Sequence, residues 1–97
     1  MMVLVVENVS PSVRGEISRW LIEPRAGVFV GNLSARVRDK LWERVTKRIP
    51  DEQEDDAGAI MIYSARTEQG FAIRCHGEPR RKVIDAEGLT LVKFCGV

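Results

Sequence analysis

Ninety-seven residues make one domain around a single core, which excludes a catalytic cleft between two domains of the same chain. The composition, 44% hydrophobic and 30% charged, is that of an ordinary globular protein, and no apolar run approaches the roughly 18 residues of a membrane span. The formal charge of +1 conceals an asymmetry: Asp51, Glu52, Glu54, Asp55 and Asp56 crowd into PDEQEDDAG, so elsewhere fifteen bases face nine acids, a balance of +6 that could attract a polyanion.

The opening MMVLVV lacks the basic start and cleavage site of a signal peptide, and two cysteines, Cys75 and Cys95, suit a reducing compartment; a cytoplasmic location is expected. VLVV, residues 3 to 6, reads as a buried central strand. Ser10 as cap, Pro11 at the first helical position and the spacing of Val13, Ile17, Trp20 and Leu21 predict a helix that Pro24 stops. GVFVG is a short strand with Gly27 and Gly31 allowing tight turns. Asn32 or Ser34 then caps a second helix, in which Leu33, Val37, Leu41, Val45 and Ile49 form a ridge toward the core. Opposite the ridge lie Arg36, Arg38, Lys40, Arg44, Lys47 and Arg48, with Asp39 and Glu43 to balance them; ordinary solvation is expected for most.

After the acidic loop, AIMIYS, residues 59 to 64, is a further buried strand. It forms a hairpin with FAIRCH, where Phe71, Ile73 and Cys75 share one face and Ala72, Arg74 and His76 the other. GEPRRK reads as a basic turn that leads through DAEG to a last strand, LTLVKF, apolar on both faces. The resulting order, β-α-β-α-β-β-β, is an α+β layout: two helices cover one face of a largely antiparallel sheet, and the other face is expected to pack against a second copy in a homodimer.

Chemistry-bearing residues are sparse. Cys75-His76 fails as a catalytic or metal pair, since strand neighbours point to opposite faces; a buried Cys75 beside an exposed His76 is the expectation. The acidic segment lacks the spaced ligands and glycine of a calcium loop and reads as a solvated connection. Glu7, beside Asn8 at the end of the first strand, could meet its own copy across a two-fold axis and hold Mg²⁺ against a phosphodiester; strand-end glutamates are also common without any such role. Arg14 sits in the first turn of helix one, where a cation opposes the dipole and a phosphate would reverse the sign. Gly15 behind it would let a backbone approach. With Arg80, Arg81 and Lys82 on the late turn, and few aromatics to stack bases, the pattern points to double-stranded nucleic acid held by its backbone.

LVVENVSPSVRG, WLIEPRAGVFVGNLSARVRDKLWE and GEPRRKVIDAEGLTLVKF together resemble the small adaptation protein of type I-E CRISPR systems, the second of the two universal CRISPR adaptation proteins, often labelled an endoribonuclease. The resemblance spans nearly the whole chain. It implies a ferredoxin-like homodimer seated between two dimers of the CRISPR integrase, which captures a short DNA duplex for insertion as a new spacer. By position it implies DNA contacts at Arg14, Arg80 and Arg81, with Arg25 of the RAGV motif a further candidate. It also implies an integrase-docking strand carrying Leu89, Leu91, Val92 and Phe94. This chain departs from the family's pattern in having Ser12 and Glu16 where basic residues are frequent on helix one. It has Glu7-Asn8 where the family's shared magnesium site rests on an aspartate, and one recognisable strand, GVFVG, where the family layout has two.

Overall fold

The computed structural model describes residues 1–49, 57–77, 81–86 and 89–94, the last two segments by their backbone. In chain order the elements are β1 (Met2–Glu7), α1 (Pro11–Ile17), β2 (Ile22–Arg25), β3 (Val28–Gly31), α2 (Ala35–Lys47), β4 (Gly58–Ser64), β5 (Phe71–Gly77), β6 (Arg81–Ala86) and β7 (Leu89–Phe94). Strands β2-β3-β1-β4-β5 form one sheet in that spatial order, with every pairing antiparallel, and β6 and β7 form a separate antiparallel pair. The first six elements run β-α-β-β-α-β in the order β2-β3-β1-β4, a ferredoxin-like arrangement, and β5 widens it by one strand. The α+β class and the β4–β5 hairpin agree with the sequence.

Two strands escape the sequence reading. The segment IEPR, expected to finish helix one, is β2: α1 stops at Ile17, where the Ser18 hydroxyl turns back to the Arg14 carbonyl at 2.9 Å. Leu21 is buried from the turn that follows and Trp20 points outward, 49% exposed, so their helical spacing is coincidental. Pro24 fits because β2 is an edge strand, where a missing N–H costs nothing in the ladder. The second omission is β6: Arg81 and Lys82 open a strand and do not lie on a turn.

Both helices begin as the sequence predicts. The Ser10 hydroxyl accepts from the Val13 N–H at 3.4 Å and that of Ser34 from Val37 at 3.3 Å, which settles the second cap on Ser34. The core lies between helices and sheet. Leu4 and Phe29 from the sheet meet Ile17, Leu41, Val45 and Ile49 from the helix side, with Met61 from β4. Full burial of side chains this size contributes about 1.5–3 kcal/mol each. Gly31 lacks the positive φ of a turn glycine; a Cβ there would meet Leu21 Cδ2 at 2.7 Å, so the position serves close packing.

The other face of the sheet carries two apolar rows. Register aligns Ile22, Val30, Val3, Ile62 and Ile73 across all five strands, and beside them Val28, Val5, Ile60 and Cys75. Ile22 is 72% exposed, and the valines and other isoleucines of these rows are half-buried. Cys75 is therefore exposed, contrary to expectation, because it falls on this open face. His76 points to the helix side, half-buried, with Nε2 2.6 Å from the Ile49 carbonyl oxygen at the end of α2. Among the described residues no helix is long and apolar enough to cross a membrane.

Candidate nucleic-acid interface

Arg14 is held by a neighbouring carboxylate. It leaves α1 on the exposed flank beside β2, where Nε and Nη2 both donate to Glu23 Oε2, at 3.0 and 2.9 Å. The same oxygen accepts the Gly27 N–H at 2.9 Å. One carboxylate oxygen thus joins helix one, β2 and the β2–β3 turn. The Gly27 hydrogen bond, against a smaller opposing effect of desolvation and with help from the Arg14 guanidinium, holds the Glu23 carboxyl below its usual range. Glu23 is nine residues from Arg14, a separation with no local spacing rule, and the sequence reading missed it.

Arg25 does not join Arg14. A bulge in β2 lets Ile22 pair with Val30 and Arg25 with Val28, so both belong to the open apolar face while Arg14 stands on the helix side. Arg25 instead extends the row of Val28, Val5 and Ile60 at its edge. Glu7 is on that face too, one row further along, and its partners in the ladder are Gly58 and, beyond it, Gly77. Neither glycine has a side chain, so the Glu7 carboxylate has open sheet beside it. Asn8 then turns the chain with φ of +53°, a conformation asparagine tolerates better than most residues. Among the described residues no three His, Cys, Asp or Glu side chains are grouped so as to hold a metal ion.

Arg80 lies outside the described residues, as does the acidic loop, 51–56. Arg81 is paired with Phe94 at the open end of the β6–β7 hairpin, where Val92 falls on the same face. Leu89 and Leu91 occupy the opposite face with Ala86 and Ile84. The predicted docking residues are thus split between two faces, two on each.

Four of the six bases on α2 and its C-cap are paired. Arg44 and Arg48 both reach across to α1, at 3.1 and 2.8 Å from the two oxygens of Glu16, and Arg48 also bonds the Ser12 hydroxyl. Lys47 pairs with Glu43 at 3.1 Å, one turn away. Arg38 is the most enclosed: its guanidinium lies 3.8 Å from the Tyr63 ring centroid and 3.2 Å from Asp39. Arg74 of β5 closes the cluster, 2.8 Å from Asp39 and 3.1 Å from the Tyr63 hydroxyl. Burial raises the Asp39 carboxyl, but hydrogen bonds from Arg74 and Arg38 outweigh it and the net direction is down. Arg38 therefore departs from the expected solvation, whereas Arg36, Lys40, Arg44, Lys47 and Arg48 are exposed as expected, Arg44 and Arg48 while tying α2 to α1.

What this surface can do chemically is hold anions. A guanidinium fixed along one edge offers its remaining N–H groups in a defined direction, and a phosphate oxygen is the acceptor that fits them best. Comparison with known families adds the biological setting. The family described as CRISPR-associated protein (Cas_Cas2CT1978) matches residues 1–91, almost the whole chain and every element from β1 to β6. With a ferredoxin-like sheet and a match of that extent, the chain belongs to the Cas_Cas2CT1978 family and is a CRISPR-associated protein of the Cas2 type.

Proposed function

We propose that this protein acts in CRISPR spacer acquisition, in the type I-E manner, as a homodimer that scaffolds the integrase and holds the backbone of double-stranded prespacer DNA. The observation that carries the reading is the two-sided sheet. Helices cover one face, and the other presents two aligned rows of aliphatic side chains, a surface that a second copy of the chain would cover. A two-fold axis through that face repeats every external feature, so a single ordered arginine such as Arg14 becomes a pair able to engage one duplex at two points. Arg80 and Arg81 add cations, the latter where β6 opens, and Leu89, Leu91, Val92 and Phe94 of β7 are the segment assigned to the integrase. The cytoplasm, where such DNA is met, is the proposed compartment.

Reversing the charges of Arg14, Arg80 and Arg81 together is expected to abolish acquisition of new spacers in cells while the protein remains folded. Acquisition that survives the triple reversal would overturn the reading. Gel filtration of the chain with and without integrase and duplex supplies the second check, a dimer that enters the larger complex being the expected result.

The clearing around Glu7 favours a second reading, an Mg²⁺-dependent endonuclease or endoribonuclease in which the Glu7 carboxylates of two copies share the ion and Asn8 orients water. Among the described residues of one chain no group of three such side chains surrounds Glu7, so this reading takes the second carboxylate from the partner copy. On the scaffold reading, Glu7→Ala leaves acquisition intact. If the purified protein cleaves nucleic acid with magnesium and Glu7→Ala removes that cleavage, the enzymatic reading gains; cleavage undiminished in the variant points to a contaminant.

A further inference from the structure

The Arg14–Glu23 pair poses a question of sign. A carboxylate touching a phosphate-binding arginine can compete with the phosphate, or it can aim the arginine at it. Both bonds from Arg14 come from one side of the guanidinium, Nε–H and a single N–H of Nη2, and both end on the same oxygen. Among the described residues no acceptor takes Nη1. The outer edge, made of Nη1 and the second N–H of Nη2, is left able to bind a phosphate with two parallel hydrogen bonds. Arg14 keeps 40% of its side-chain surface exposed, whereas Glu23 keeps 23% and is anchored from behind by the Gly27 N–H. The carboxylate is therefore the fixed member and the guanidinium the presented one.

We infer that Glu23 is a positioning residue for nucleic-acid binding: it holds the Arg14 guanidinium by its inner edge and directs the outer edge toward a DNA phosphate, without being displaced. The inference rests on the reading of Arg14 as a backbone contact. A free arginine side chain loses rotamer entropy when it grips a phosphate; one already held by a fixed carboxylate loses less. That gain must exceed the electrostatic cost of keeping an anion nearby, which water and salt attenuate at this exposure.

The two roles differ in the direction of a measurable change. Binding of a fluorescein-labelled DNA duplex of mixed sequence by the full chain, followed by anisotropy across a series of salt concentrations, is compared for wild type, Glu23→Ala, Arg14→Ala and the double variant. Positioning predicts that Glu23→Ala weakens binding about tenfold although it makes the protein more positive, and that the effect vanishes in the Arg14→Ala background. It also predicts a salt slope shallower by about 1.8, two phosphate contacts per dimer, in both single variants. Competition predicts tighter binding and a steeper slope for Glu23→Ala, and either result overturns the inference. So does an unchanged affinity, or a loss that persists without Arg14, which would place the effect in the β2–β3 hairpin. Should Glu23→Ala not fold, Glu23→Met, which keeps the length of the side chain and offers no oxygen to Arg14, is read in the same way. A wild-type affinity for Arg14→Ala refutes the contact itself, a separate outcome from failure of the Glu23 role.

Discussion

Gly27 holds three constraints at once. Its φ of +79° is one that other residues adopt at a cost of about 1–2 kcal/mol, and a Cβ there would sit 2.6 Å from the Val6 carbonyl oxygen, a backbone atom of the central strand. Its own carbonyl accepts the Val6 N–H at 2.8 Å and its N–H feeds Glu23. Gly70 has nearly the same φ, +82°, in open space. Gly27→Ala is therefore expected to cost clearly more than Gly70→Ala, which should show the conformational cost alone. In thermal unfolding, where about 1 kcal/mol moves a domain of this size by roughly 4–8 °C, the two midpoints should be well separated. Equal losses would mean that the Val6 contact relaxes freely. The sequence marked Gly27 as a turn residue. It could not show the contact with Val6, twenty-one residues earlier, nor that Cys75 and His76 would exchange their expected environments. Alternation tells which residues share a face and is silent about which face the helices cover.

At the level of elements, segments with a helical repeat or a bounded apolar run were legible, and β2 and β6 were not. The four-residue ridge of α2 placed Leu41, Val45 and Ile49 in the core correctly because thirteen helical residues give the pattern time to repeat. β2 has four residues, a proline and an outward Ile22, and β6 alternates charge with two adjacent aliphatics, so neither carries a period. The ion pairs that join elements were equally invisible, since Asp39 meets Arg74 only when α2 lies on the sheet. That junction should respond to acid. The folded Asp39 carboxyl lies below its ordinary value of 3.8, so the stability it contributes is complete above that value and disappears as pH falls through the lower folded one. Asp39→Asn is expected to melt below wild type at pH 7, with the gap closing as both are titrated below pH 3.8; a gap independent of pH would assign the loss to packing around Tyr63 instead.

For the whole molecule the decisive quantity is what covers the open sheet face. A five-stranded sheet with aliphatic rows on the side away from its helices leaves hydrophobic surface in water, and burying such surface is favourable by about 25 cal/mol per Å² before the costs of association. Ile62 occupies the middle of one row, between Val3 on β1 and Ile73 on β5, and is half-buried in the single chain. A glutamate there can keep its carboxylate in water while the chain is alone, so the monomer should fold. In a face-to-face dimer the same carboxylate would be desolvated with no cation in its row, a cost of several kcal/mol per protomer and twice that across a two-fold axis. Ile62→Glu is therefore expected to sediment as a folded monomer with a wild-type far-UV circular dichroism spectrum, and to lose duplex binding along with the paired arginines. A folded Ile62→Glu variant that remains dimeric would place the contact between copies elsewhere, and the pairing of Arg14 across this face would have to be abandoned with it.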